Sequence, residues 1–180
     1  MTFNSTDKNI TIGVGSYGWA IHRDKTTDAL IEHIESNENK VIEPIYSFRD
    51  LERSTNDIGS SYVEIDLKNQ MVYVYRDGQL RVKTKTVTGN VSRGKATPTG
   101  IYPLNYKERD TVLRGEDYES PVKYWMPFNY HIGLHDADLK TEFGGDIYEK
   151  NGSNGCINLP PENTKAIFDL VYPGMPVIVH

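Results

Sequence analysis

Residues 152–161 read GSNGCINLPP, and they hold Cys156, the one cysteine among 180 residues. A structural cysteine behaves as a small hydrophobe and usually sits in a core. This thiol is flanked instead by Gly152, Ser153, Asn154 and Gly155, residues that let the backbone turn sharply and approach a ligand closely. A nucleophile on a tight loop accounts for that setting, and a buried spectator is the competing reading. A lone cysteine also excludes an intramolecular disulfide and any multi-cysteine zinc site.

A cysteine nucleophile needs a base to take its proton, and the base needs an orienting group. The histidines are His22, His33, His131, His135 and His180. His33 lies among charged residues of a helical stretch, His22 belongs to the N-terminal part and His180 is the last residue. His131 and His135 share the segment YHIGLHD, and on a strand their even separation would put both on one face. No further His or Cys completes a metal set with them, so neither a metal nor any other cofactor is expected. His135, flanked by Gly133 and by Asp136-Ala137, is the candidate base; a hydrogen-bonded core histidine is its alternative.

Outward from this pair the chain divides in two. Residues 10–14, ITIGV, read as a short strand, followed by the glycine-rich hexad GVGSYG at 13–18. A dinucleotide fingerprint needs a helix opening from such a hexad. The continuation WAIHRDKTTD is polar with no apolar face, so the hexad reads as a turn. A helix is expected over 26–36, TTDALIEHIES, capped by Thr26 or Thr27, with Leu30, Ile31 and Ile34 on one face. RDLERSTNDIGS, residues 49–60, has the polarity of a connector.

From residue 59 the texture is β. Val63, Ile65 and Leu67, then Val72 and Val74, alternate with polar or aromatic neighbours, and Asp77-Gly78 is a strong hairpin signal. The stretch 124–137, YWMPFNYHIGLHDA, reads as aromatic and extended. The polar stretch 107–123 reads as a flap over the site or an ordinary surface excursion. Pro160-Pro161 stops the cysteine segment; a helix, ENTKAIFDLVY, and a buried final strand, GMPVIVH, follow. The fold expected is α+β: a β-rich mixed sandwich with one main helix over 59–180, plus a small α/β remnant over 1–58.

The totals agree with a soluble globular chain, at 37% hydrophobic and 25% charged residues. A net charge of −5 and no basic run argue against nucleic acid as a partner. No apolar run approaches the roughly 20 residues of a membrane span. The opening MTFNSTDKNITIG reads as a start cut into a longer polypeptide, so membrane anchoring would come only through a segment absent from this chain.

HDADLKTEFGGDIYEKNGSNGCINLP resembles the signature of the L,D-transpeptidases, the YkuD-type catalytic domain: a histidine, a spacer of some fourteen to seventeen residues, then Ser-x-Gly-Cys with Asn or Arg two places on. Here 17 residues separate His135 from Ser153 (153 − 135 − 1), and Cys156, Ile157 and Asn158 fall in register. TVTGN at 86–90, ATPTGIY at 96–102, YWMPF at 124–128 and the closing PGMPVIVH are similar to that domain too. SYGWAIHRDKTTDALIEHI at 16–34 and VIEPIYS at 41–47 resemble, more weakly, the end of the peptidoglycan-binding-like module that precedes it in some Gram-positive members.

The resemblance implies acyl transfer on peptidoglycan stem peptides, donor and acceptor, outside the cytoplasm at the cell wall, by a parent protein anchored in the membrane. It makes Cys156 the nucleophile, of low pKa and quickly alkylated near neutral pH, and His135 the proton acceptor and donor. Ser153 would orient His135 through its hydroxyl or carbonyl, and the backbone at Gly155 would face the oxyanion. Asn154, Asn158, Tyr130 and Trp125 are the expected substrate contacts. Two positions depart from the family pattern: Asn154 stands where the family most often has His, and Leu139 where HDA-type relatives often have Trp. L,D-carboxypeptidase activity, with water replacing the acceptor amine, and a cell-wall binding module with a decayed loop are the alternatives.

Overall fold

The structure is a computed structural model that describes residues 2–6, 9–13, 15–48, 57–115 and 119–180. Most of the expected connector, 49–56, lies outside them. The N-terminal part comprises β1 (Thr2–Asn4), β2 (Asn9–Thr11), β3 (Ala20–Ile21), α1 (Arg23–Glu35) and β4 (Tyr46–Phe48). The second part runs β5 (Tyr62–Asp66), β6 (Met71–Arg76), β7 (Gln79–Lys85), β8 (Gly100–Pro103), β9 (Glu108–Arg114), β10 (Glu119–Asn129) and β11 (Ile132–Asp136). It closes with α2 (Ile147–Asn151), β12 (Ile157–Leu159), α3 (Pro161–Leu170) and β13 (Pro176–Val179).

Two mixed sheets face each other. One has the order β7-β6-β5-β13-β8, the other β12-β11-β10-β9, and β5/β13 and β11/β12 are the parallel pairs. The alternation read from the sequence decides which side chains meet between them. Val63, Ile65, Val72, Val74, Val177 and Val179 come from the first sheet, and Met126, Phe128, Leu134, Ile157 and Leu159 from the second. Ile167 and Phe168 of α3 complete this core. Asp77 and Gly78, at φ 53° and 76°, form the tight turn between β6 and β7, where positive φ at both positions matches the twist of the strands.

Two expectations are corrected. The helix begins at Arg23 with His22 as N-cap, its Nδ1 accepting from the Lys25 N–H at 3.4 Å. Thr26 is unavailable for capping because its hydroxyl is tied to both backbone groups of Ile45, at 3.0 and 3.1 Å. Residues 124–137 are not one extended run but a hairpin that reverses at Tyr130, where φ is 49°. Within the polar stretch 107–123, β9 pairs antiparallel with the start of β10.

The glycine-rich turn has a packing role. A Cβ at Gly15 would lie 1.8 Å from the Ile101 carbonyl oxygen, and the Tyr17 N–H donates to that oxygen at 3.0 Å. Phe3, Ile12 and Ile58 bury against Ile101 and Ile178 on the far face of the five-stranded sheet. The N-terminal residues thus share a core with the β-rich part, whereas α1 buries none of its own residues.

Candidate active site

Register places the chemistry on one face of the four-stranded sheet. Leu134, Ile157 and Leu159 point into the core, so His135, Asn158 and Cys156 project the other way by strand alternation. His135 pairs with Asn158 on one side and with Trp125 on the other. The Trp125 ring lies 6.0 Å from the imidazole, centroid to centroid. Trp125 and Cys156 both line a cleft of about 200 Å³, closed by Tyr106, Tyr130, His131 and, from β9, Glu108 and residues 111–114.

Gly133 makes this arrangement possible. A Cβ there would sit 2.7 Å from the Trp125 ring, the Met126 carbonyl and Pro127 Cα. The glycine therefore gives the indole room.

His135 is buried, and its Nδ1 lies 2.7 Å from the Asp136 carbonyl oxygen. A carbonyl only accepts, so Nδ1 carries the proton and Nε2 presents its lone pair. Burial lowers the His135 pKa, opposed by that carbonyl and by the Asp136 charge. The Asp136 carboxylate is itself buried and accepts from the Lys123 and Tyr124 N–H groups at 2.8–3.2 Å. It thereby bolts β10 to the end of β11.

The orienting role expected of Ser153 thus passes to Asp136. The Ser153 hydroxyl donates to the Cys156 carbonyl at 2.6 Å and accepts from the Gly155 N–H at 3.0 Å. The Ser153 carbonyl accepts from the Asn90 N–H at 2.9 Å. Serine therefore shapes the cysteine loop instead of touching the imidazole.

The thiol departs from expectation as well. Burial pushes the Cys156 pKa up to about 11, against a partial lowering by the Gly133 N–H. The Sγ lies 3.5 Å from the His131 carbonyl, to which the thiol donates. Burial thus favours the neutral thiol and the neutral imidazole in the free site.

The loop around Cys156 is held by residues 86–97. The Val87 and Asn158 backbones exchange two hydrogen bonds at 3.0 Å, and Thr86 Oγ1 donates to the Asn158 carbonyl at 2.8 Å. The Ser153 N–H donates to the Thr88 carbonyl at 2.9 Å. Gln70, fully buried, accepts from the Thr88 N–H and donates to the Thr88 hydroxyl. Gly155 has φ 117°, a conformation open to glycine. Asn154 is exposed at the loop tip, Asn158 is buried in β12, and Tyr130 is 91% exposed at the mouth of the cleft. His131 sits in the turn before β11 rather than on the strand with His135.

Sequence reasoning singled out Cys156, His135, Trp125 and Tyr130 and did not reach Gln70, Thr97, Tyr106 or the Asp136 carbonyl. The HDA triplet was the one sequence signal for Asp136. Gln70 gave none, because it lies far from the loop along the chain.

The L,D-transpeptidase catalytic domain (YkuD) family model matches residues 60–179. A cysteine-to-serine mutant of Enterococcus faecium L,D-transpeptidase is 37% identical, at TM-score 0.82, covering 100% of this chain and 73% of its own. The catalytic domain of the E. faecium enzyme acylated by ertapenem is 42% identical over 67% of this chain and 97% of its own, at TM-score 0.61. The L,D-transpeptidase from Mycobacterium smegmatis is 25% identical over 67% of this chain and 58% of its own, at TM-score 0.58. No curated protein matches. The chain belongs to the L,D-transpeptidase family, and it is an acyltransferase of the peptidoglycan-modifying class.

Proposed function

We propose that this chain cross-links peptidoglycan stems: Cys156 takes the acyl group of a tetrapeptide donor and passes it to an acceptor amine. The observation that carries the reading is a thiol lining a cleft walled by Trp125, beside a buried histidine whose tautomer leaves Nε2 as a base. In the donor, an L,D bond joins a diamino acid to a terminal D-Ala. Sγ attacks that carbonyl carbon while its proton passes to His135 Nε2. The C–N bond then breaks, D-Ala leaves with the proton, and a thioester remains. The acceptor amine attacks the thioester and gives its proton to His135. The C–S bond breaks, and the thiolate takes the proton back. The Asp136 carbonyl holds the imidazolium that forms in each half.

Because the resting thiol is neutral, proton transfer accompanies attack instead of preceding it. Substrate positioning is assigned to Trp125 and Tyr130, which line the cleft, to Asn154 at the tip of the cysteine loop and to Asn158 in β12. The work takes place outside the cytoplasm at the cell wall. Residues 59–180 form the catalytic unit, and residues 1–58 correspond to the end of a wall-binding module and its connector.

The test is incubation with a muropeptide tetrapeptide and mass spectrometry of the products, with Cys156→Ala in parallel. Cross-linked dimers that vanish in the variant are the expected result. Tripeptide alone would reassign the chain to carboxypeptidase activity, and no turnover by the folded protein would refute the catalytic reading. Ertapenem is expected to add its mass to wild type and not to Cys156→Ala.

A further inference from the structure

The hydroxyl of Thr97 sits between two segments the reaction needs. It accepts from the Gly89 N–H at 3.0 Å and donates to the Gly155 carbonyl at 2.8 Å. Thr97 is buried, and both contacts are buried. The Gly89 N–H can only donate and the Gly155 carbonyl can only accept, so the hydroxyl proton points to Gly155. Backbone packing fixes the distance: a Cβ at Gly89 would come 2.0 Å from the Lys95 carbonyl, 2.7 Å from the Thr97 nitrogen and 2.9 Å from Gly155 Cα.

The Gly155 carbonyl belongs to the peptide that precedes the nucleophile. No cis peptide occurs among the described residues, and across a trans peptide the C=O and N–H point in opposite directions. Pinning the carbonyl on Thr97 therefore directs the Cys156 N–H away from Thr97. At φ 117°, Gly155 has more backbone freedom than any other residue type would give it, so the plane of this peptide needs an external anchor.

We propose that Thr97 is a positioning residue that aims the Cys156 N–H at the oxyanion of the tetrahedral intermediate. The inference rests on the acyl-transfer reading above and assigns a role to a residue some 60 positions away along the chain from the nucleophile. It separates two properties of Cys156. Attack on a carbonyl builds an oxyanion and needs the aimed N–H. Alkylation by iodoacetamide builds none and needs only an accessible sulfur.

The experiment measures both rates by intact-protein mass spectrometry in wild type, Thr97→Val and Thr97→Ser: acylation by ertapenem, and alkylation by iodoacetamide. Loss of a well-aimed oxyanion donor costs about 100- to 1,000-fold, so a misaimed one is expected to slow acylation about 10- to 100-fold in Thr97→Val. Alkylation should stay at the wild-type rate, and Thr97→Ser, which keeps the hydroxyl, should restore acylation. If the valine variant does not fold, Thr97→Ala, which also removes the hydroxyl that anchors the Gly155 carbonyl, is read the same way. Equal loss of both reactions would overturn the proposal, because Thr97 would then only be holding the loop in place. Unchanged acylation in a folded variant would overturn it too. Failure of wild type itself to be acylated, with alkylation intact, would instead sink the acyl-transfer reading on which the proposal stands.

Discussion

Alkylation of Cys156 by iodoacetamide as a function of pH tests the resting state of the site directly. With the thiol pKa raised to about 11 from an ordinary 9.0, the thiolate fraction at pH 7 falls from about 10⁻² to about 10⁻⁴. A more basic thiolate is a better nucleophile, and a Brønsted slope near 0.5 returns roughly tenfold over two units. The net expectation is alkylation about tenfold slower than an unperturbed cysteine at neutral pH. The rate should rise about tenfold per pH unit with no plateau until the neighbourhood of the raised pKa. The assay is the pseudo-first-order rate of adduct formation by mass spectrometry from neutral to strongly alkaline pH, with circular dichroism to exclude unfolding. His135→Gln should leave this profile in place, because His135 does not hold the thiol proton at rest. The same variant should lose about 100- to 10,000-fold in acylation, where His135 works as general base. A plateau beginning below pH 8 in wild type, abolished in His135→Gln, would show a preformed thiolate–imidazolium pair and refute the reasoning.

Other perturbations follow from the packing. Gly133→Ala should push the Trp125 ring out of place, destabilising the fold by about 1–3 kcal/mol through overpacking; thermal melting reads the loss, and an unchanged midpoint would mean the indole has another position available. Asp136→Asn puts an amide where two backbone N–H groups donate, at a cost of about 1–3 kcal/mol; acylation should fall along with stability, and an unaffected rate would release Asp136 from its role as the bolt beneath His135. Glu64 has burial acting to raise its pKa, but hydrogen bonds from His180, Ser5 and Thr6 win and hold it below the ordinary 4.5. Its contribution to stability is therefore complete above 4.5 and is lost as pH falls through the lower folded value; Glu64→Gln should flatten this acid limb in melting curves, and an unaltered limb would contradict the assignment.

Sequence alone carried much of this protein. The period-two alternation of Val63, Ile65, Val72 and Val74 announced half-buried strands, because a strand facing one core must alternate. Asp77-Gly78 announced its hairpin, because few residue pairs accept two positive φ values. The setting of Cys156 among glycines marked a loop that approaches a ligand, and its spacing from His135 carried the family. Helix onset was misplaced because Thr26 binds Ile45, a partner no local pattern reveals. Residues 124–137 read as one strand because their aromatic texture hides a reversal carried by Tyr130 at positive φ, which that residue type does not advertise.

The site shows the same division. The candidates for nucleophile and base lie in the sequence, since only certain side chains can do those tasks. Protonation states and orienting contacts do not, because they depend on what burial brings within 3 Å. Only the tertiary structure put the Asp136 carbonyl on His135, turned Ser153 toward its own loop, and seated Trp125 over Gly133. It also raised the thiol above its ordinary pKa, since desolvation is a property of the packed surroundings rather than of the residue. Thr97 reaches the cysteine loop, and Gln70 reaches Thr88 beside it, across turns of the backbone that local sequence does not encode. The Thr97 bond exists because the fold brings residues 86–97 against residues 152–158.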